Sequence, residues 1–80
     1  MPEEELFKTE EVASRSEISD ALREAADQIE SGDVTLVNGT EEQTVAVPER
    51  PRFEVELERL TDSETGEQRY ELEYEIRWTK

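Results

Sequence analysis

The sequence predicts an α+β fold, in which one amphipathic helix packs on a mostly antiparallel sheet in the order β-α-β-β-β-β. Three observations support this prediction. Residues 15–31 carry apolar side chains at helical spacing. Residues 52–60 (RFEVELERL) and 69–78 (RYELEYEIRW) alternate apolar and charged side chains, which is the period of a half-buried strand. The length of 80 residues favours one small domain, residues 1–80.

Residues 6–13 (LFKTEEVA) are predicted to form the first strand. Leu6 and Val12 share one parity, whereas Phe7 and Ala13 share the other. Because a strand places successive side chains on opposite faces, this pattern leaves open which face is buried.

The helix is predicted to begin at a capping box, Ser14-Arg15-Ser16-Glu17. The serine oxygen accepts from the backbone N–H of Glu17, whose side chain returns the bond. The apolar face then repeats at intervals of three and four residues: Ile18, Ala21, Leu22, Ala25, Ala26 and Ile29. Gly32 supplies a left-handed stop, so we expect a helix over residues 15–31.

Two short strands, residues 33–38 and 43–48, are predicted to follow. A two-residue turn centred on Asn38-Gly39 would set Leu36 opposite Glu41, so a looser turn that pairs Leu36 with Val45 and Val34 with Val47 is preferred. The opposite face is then unusually apolar for so acidic a chain, with Thr35, Val37, Thr44 and Ala46. Pro48 and Pro51 bracket a kinked connection.

The two alternating segments are predicted to pair around a loop of residues 62–65. This register sets Phe53 opposite Tyr74, Val55 opposite Leu72, Leu57 opposite Tyr70, Glu54 opposite Glu73 and Glu56 opposite Glu71. The helix residues expected to cover the apolar side, which includes Ile76, are Leu22, Ala25, Ala26 and Ile29. Trp78 shares the face of Tyr74, so we expect it to close one end of this core.

The layout resembles the Amphi-Trp domain, a small module of halophilic archaea. The resemblance rests on SRSEISDALREAADQIESGDVTL and on RYELEYEIRW with Trp78, and it covers nearly the whole chain. It implies an α+β fold, a salt-loving host and self-association, and it implies no catalytic residues.

The composition is strongly acidic, with 23 Asp and Glu against 9 Lys and Arg and a net charge of −14. A hydrophobic content of 32% with so much charge would by itself indicate disorder, but the period of two in the strands argues against that. Seven of the basic residues are Arg, and only Lys8 and Lys80 are Lys. We interpret this as salt adaptation, because concentrated salt screens the repulsion among carboxylates. An ordinary acidic protein is the alternative.

The sequence also indicates the cellular location of the protein and whether it has catalytic or metal-binding residues. The acidic segment MPEEELF lacks the apolar run of a secretory signal, and no stretch approaches the ~20 apolar residues of a membrane span, so we expect a cytoplasmic protein. The chain has neither His nor Cys, so we expect neither an enzyme nor a cofactor. A calcium loop that begins at Asp62 would need glycine at its sixth position, where Glu67 stands, so we expect no metal site of this type.

The remaining class is an interaction module. Facing glutamates, an apolar underside of the first hairpin and exposed sheet edges together favour a symmetric homodimer. The candidate interface residues are Val37, Ala46 and Trp78. Direct nucleic-acid binding is disfavoured, because glutamates interleave the arginines of the second hairpin. The alternative function is an acidic protein that imitates a phosphate backbone and masks a basic partner.

Overall fold

The computed structural model describes residues 3–80 and confirms the α+β class. Helix α1 comes first and four strands follow: α1 (Arg15–Ser31), β1 (Asp33–Asn38), β2 (Glu41–Ala46), β3 (Arg52–Thr61) and β4 (Gln68–Arg77). β1 pairs with β2 and β3 with β4, both antiparallel, in two separate sheets. The elements fall into two compact units, residues 1–49 and residues 50–80, which we describe in turn.

The predicted first strand is wrong, because residues 6–13 have no regular secondary structure. Leu6 is 63% exposed and Val12 is fully exposed. Apolar side chains on both parities give neither face a continuous apolar surface to bury. Without that, no driving force holds the segment against a neighbouring strand.

Helix α1 spans the predicted residues, and both of its predicted ends are confirmed. Ser14 Oγ accepts from the backbone N–H of Glu17 at 3.1 Å, and the N–H of Ser14 donates to Glu17 Oε1 at 3.4 Å. Gly32 has φ 103°, and its N–H donates to the carbonyls of Gln28 and Ile29. A positive φ is readily adopted only by glycine, so this residue ends the helix and turns the chain into β1.

The helix contacts β1 in the first unit. Gln28 Oε1 accepts a hydrogen bond from the backbone N–H of Thr35 at 2.6 Å. This N–H lies on the edge of β1 that does not pair with β2, so the Gln28 side chain satisfies a donor at an open strand edge. Ile29 and Val34 are half-buried near this contact, whereas Leu22 is 51% exposed. The apolar face of the helix is thus covered at its carboxyl half and open at its amino half.

The first hairpin pairs in a different register from the predicted one. Val34 lies opposite Val45 and Leu36 opposite Gln43, so the predicted pairs Leu36 with Val45 and Val34 with Val47 are wrong. Gly39 adopts φ +60°, which allows Gly39 and Thr40 to close a two-residue turn between Asn38 and Glu41. The second strand accordingly covers residues 41–46 rather than 43–48.

The second hairpin is also shifted by two residues. The observed pairs include Phe53 with Ile76, Val55 with Tyr74, Leu57 with Leu72, Glu54 with Glu75, Glu56 with Glu73 and Glu58 with Glu71. The loop runs from Asp62 to Glu67 instead of ending at Thr65, because Gly66 adopts φ +76° inside it. The backbone N–H of Asp62 donates to the carbonyl of Glu67 at 2.8 Å and closes the loop. A shift of two residues leaves every side chain on its predicted face.

No hydrophobic side chain among residues 3–80 is fully buried. The apolar residues of β3 and β4 are largely exposed. The predicted packing of α1 on the second hairpin involves both units, and it remains a prediction.

Candidate interaction surface

The second hairpin presents a continuous apolar face. We define the apolar face by the side chains that alternate along β3 and β4 on one side of the sheet: Phe53, Val55, Leu57, Tyr70, Leu72, Tyr74 and Ile76. All but Ile76 are more than half exposed, with Leu57 at 68% and Phe53 at 62%. The hairpin therefore directs its largest apolar side chains to one open surface.

Two aromatic rings organise this face. The rings of Phe53 and Tyr74 lie with their centroids 6.3 Å apart and their planes at 15°, which is a stacked arrangement. The two residues sit diagonally across the strands, since Tyr74 is opposite Val55. Aromatic side chains with few rotatable bonds supply large contact area at low entropic cost, so a stacked pair of this kind is suited to burial against another surface.

The exposed area is large for a chain of this size. Six side chains that are each more than half exposed leave on the order of 600 Å² uncovered, since one aromatic side chain alone presents ~150–250 Å². The largest apolar patch of a typical monomer covers ~300–600 Å², and each partner in a standard interface buries ~800 Å². An isolated two-stranded hairpin is also only marginally stable in water. This face is therefore suited to being covered.

The opposite face of the same hairpin is acidic. Its glutamates form three facing pairs across the strands: Glu54 with Glu75, Glu56 with Glu73 and Glu58 with Glu71. We call these six residues the acidic face. Side chains directly opposite each other in an antiparallel pair have Cβ atoms about 4.5–5.5 Å apart, and like charges at that spacing are destabilising.

Arginine compensates only one end of the acidic face. Arg77 Nη2 lies 3.8 Å from Glu54 Oε2, and Arg77 Nε lies 3.3 Å from Glu75 Oε1. In the part of the chain that the structure describes, no salt bridge reaches the two other pairs. The centre of the acidic face therefore carries its charge uncompensated.

Glu56, in the middle of β3, responds to this crowding. Hydrogen bonding to Glu58 and the negative charge of Glu58 raise the pKa of Glu56 from 4.5 to about 7, with smaller contributions from desolvation and from the charges of Glu54 and Glu73. A proton on Glu56 thus relieves repulsion within the face.

We expect stability to fall with rising pH because of Glu56. The folded chain holds the proton of Glu56 more tightly than the unfolded chain does, so the stabilisation is complete below pH 4.5 and is lost as the pH rises through about 7. Urea midpoints of the wild type should decrease relative to those of Glu56→Gln over this range, at one fixed KCl concentration. The loop variant Glu64→Gln serves as the control and should run parallel to the wild type. Parallel wild-type and Glu56→Gln curves would contradict the coupling.

The loop that joins β3 to β4 is held by Asp62. Its Oδ1 accepts from the backbone N–H groups of Glu64 at 2.8 Å and Thr65 at 3.1 Å. These bonds, with that to Thr65 the larger contribution, lower the pKa of Asp62. The carboxylate therefore serves the turn itself. Among residues 3–80, no three His, Cys, Asp or Glu side chains gather closely enough to hold a metal ion.

The predicted interface residues lie in both units. Val37 and Ala46 share one face of the first hairpin, on either side of a Thr35–Thr44 hydroxyl contact of 3.0 Å. Val37 is 61% exposed. Trp78 directly follows β4 and is 37% exposed. A role of these residues in an interface stays a prediction.

The sequence reasoning did not consider the apolar face of the second hairpin as an interaction surface. Alternation identified its members and led to the prediction that α1 covers them, but periodicity reports which side chains share a face and not what covers that face. The hydropathy pattern also gave no signal for the Arg77 contacts, which depend on the true register.

No helix in residues 3–80 combines the length and the apolar character that a bilayer span requires.

These features define a small acidic α+β domain with a capped amphipathic helix and an amphipathic hairpin that leads to a tryptophan. The model of the Amphi-Trp domain matches residues 1–80, so the chain belongs to the Amphi-Trp domain family, as its resemblance predicted. No curated protein and no solved structure matches the chain.

Proposed function

We propose that this chain is a cytoplasmic, salt-adapted interaction module that works as a homodimer and is not an enzyme. The observation that carries the proposal is the exposed apolar face of the second hairpin, from Phe53 and Leu57 on β3 to Tyr70 and Tyr74 on β4. A surface of this size and composition is typical of a protein-binding site.

Self-association is supported by the composition as well as by the face. A symmetric dimer uses the same surface of both copies, so the apolar face of one copy can pack against the identical face of another. The net charge of −14 opposes association at low ionic strength, and salt at molar concentration screens that repulsion. We therefore expect the homodimer to form at molar salt concentration.

The absence of His and Cys from the sequence supports a binding role over catalysis. These two residue types provide most bases and nucleophiles that operate near neutral pH. Glu56 has a pKa near neutrality, but it belongs to a regular row of glutamates on an open sheet face. Such a row lacks the enclosed pocket in which a general base acts on a bound substrate.

Replacing an apolar-face residue should dissociate the dimer. Leu72→Ser removes a side chain that is 59% exposed within the chain, so its loss should weaken the dimer much more than it weakens the fold. Light scattering after gel filtration in about 3 M KCl should give a monomer mass, because ions at that strength screen charges beyond ~2 Å and leave the apolar contact dominant. The matched control is Glu73→Ser, the next residue on the same strand, which should remain a dimer.

Two results would contradict this proposal. A monomeric wild type at high salt would remove the homodimer, and equal masses for Leu72→Ser and wild type would remove the apolar face from the interface. Circular dichroism of each variant establishes that the fold is retained.

A second candidate function is supported by the acidic face. Its six glutamates in two parallel rows present regularly spaced negative charge, which can occupy a basic protein as a phosphate backbone does. Capture from a native-salt lysate separates the two functions. Enrichment of basic nucleic-acid-binding proteins that is lost in a Glu56→Gln, Glu71→Gln, Glu73→Gln variant supports the mimic. If this variant captures the same proteins as the wild type, the apolar module is supported.

A further inference from the structure

The second hairpin has one face that needs cover and one face that needs solvent. Its apolar face and its acidic face lie on opposite sides of the same two strands. A sheet with one apolar side gains stability when another element packs on that side. Whatever covers the apolar face must therefore leave the glutamates of the acidic face in water.

We propose that the apolar face of one copy is covered by the apolar face of a second copy, with the two-fold axis running across the strands. The two hairpins then stack as a two-layer sandwich. The loop end of each hairpin lies over the open end of the other. This inference rests on the homodimer proposed above and specifies how its two copies are oriented.

The area of the face suits this occupant. Each copy contributes on the order of 600 Å² of open apolar surface, so the stack buries ~1,200 Å² in total, which is the lower end of the range for specific interfaces. The open amino half of α1 offers only Ile18 and Leu22 as large side chains, 49% and 51% exposed, so a helix from a second copy would cover less of the face. Pairing through a strand edge would leave the face in solvent.

Stacking also keeps the two acidic faces apart. Sheets that pack face to face lie ~10 Å apart, and the glutamates of each hairpin point away from the other hairpin. The acidic faces then form the two outer surfaces of the sandwich, and their separation exceeds the ~10 Å screening length at 0.1 M salt. Edge-to-edge pairing would instead place both acidic faces side by side on one sheet.

The hairpin also differs in charge between its two ends. The open end, residues 50–52 and 77–80, carries four basic side chains and no acidic one: Arg50, Arg52, Arg77 and Lys80. The loop end, residues 59–69, carries a net charge of −1, from three acidic side chains (Asp62, Glu64 and Glu67) and two basic ones (Arg59 and Arg69).

This difference favours an axis across the strands. An axis along the strands would bring two sets of four basic side chains together at one end of the sandwich. An axis across them sets each basic end over an acidic loop, and the symmetry makes this contact twice. Among the described residues, Arg50, Arg52 and Lys80 form no salt bridge within the chain, so their charge is available to the loop of the second copy.

Neutralising the open end tests the orientation, because the two axes predict opposite effects. Arg50→Gln, Lys80→Gln should raise the dimer dissociation constant about tenfold relative to the control, since symmetry removes four charge contacts. The control is Lys8→Gln, Arg23→Gln, which makes the same change in net charge in the first unit. Sedimentation at the lowest KCl concentration that keeps the chain folded measures both. A dissociation constant equal to or below that of the control would overturn the inference.

Spin labels on engineered cysteines test the orientation by distance, because the natural chain has no Cys. A label on Ser63→Cys, in the loop, should lie about 30 Å or more from its copy in the dimer, since ten-residue strands at ~3.3 Å per residue separate the loops. A shorter distance would place both loops at one end and would overturn the inference.

A second label distinguishes stacking from the other ways to form a dimer. Labels on Glu73→Cys, on the acidic face, should lie about 20–30 Å apart, because both point outward from sheets ~10 Å apart. A shorter distance would show that the acidic faces lie side by side in one sheet. A longer one would show that another element, such as α1, lies between the two hairpins, since a helix adds ~10 Å. Either result would overturn the inference.

Light scattering separates this inference from the proposed function. A dimer mass with a short Ser63→Cys distance, or with a Glu73→Cys distance outside the expected range, would overturn the stacked orientation and leave the homodimer intact. A monomer mass at every KCl concentration would overturn both.

Discussion

Raising the KCl concentration from about 0.1 M to about 3 M should convert the chain from a largely unfolded to a folded state, because ~10 Å screening at the lower concentration leaves charges on neighbouring side chains in repulsion. The net charge is −14, and three glutamate pairs face each other on the second hairpin. No fully buried hydrophobic side chain in residues 3–80 opposes that repulsion within one chain. We therefore expect the free energy of unfolding to depend on salt more than on any single side chain.

Far-ultraviolet circular dichroism and thermal melting over this KCl range measure the effect. A non-ionic osmolyte at matched water activity is the control, since it favours compact states without screening charge. A Glu56→Gln, Glu58→Gln variant should need less KCl to fold, because it removes the repulsion between two adjacent carboxyl groups of the acidic face. A chain that melts at the same temperature at both ends of the range would refute salt adaptation.

The helix could be predicted in full because its signals are local. Ser14 and Glu17 cap one end, and Gly32 ends the other through its positive φ. Each of these interactions spans a few residues, so the sequence alone specifies it. The side-chain faces of both hairpins were also predicted correctly, since alternation depends only on strand parity.

The registers could not be predicted, because they depend on loop conformation. Gly39 and Gly66 both adopt positive φ inside their loops, and each choice moves the pairing by two residues from the predicted one. In the second hairpin hydropathy does not distinguish the two registers, since apolar residues meet apolar residues in both. In the first hairpin hydropathy favoured the wrong register, because the observed one sets Leu36 opposite Gln43. The Arg77 contacts to Glu54 and Glu75 and the raised pKa of Glu56 follow from the true register, so they were missed with it.

Burial was the other property beyond the reach of the sequence. Alternation in RYELEYEIRW predicts that one side of the strand is covered, but it does not say whether the cover belongs to the same chain. Leu72 and Tyr74 are 59% and 57% exposed in the single chain. For residues 6–13 the pattern was weaker still, because apolar residues on both parities describe no face at all, and a strand there was wrong.

Trp78→Ala should destabilise the protein by about 3 kcal/mol or more and should shift it from dimer to monomer, within the range for large-to-small changes at buried aromatic sites. The side chain is 37% exposed in the single chain, so most of its surface is already covered there. A second copy that covers the remaining surface would complete the burial, and truncation would then weaken both the fold and the association.

Two measurements on the same samples divide the effect of Trp78→Ala between fold and dimer. Urea unfolding at several protein concentrations reports both terms, since the midpoint of a dimer rises with concentration whereas that of a monomer does not. Thr79→Ala, the next residue along the chain, is the matched control and should match the wild type. A Trp78→Ala protein with the wild-type midpoint and a dimer mass would show that Trp78 contributes to neither. A lower midpoint that still rises with concentration would assign Trp78 to the interior of one chain, because the dimer would persist without the tryptophan.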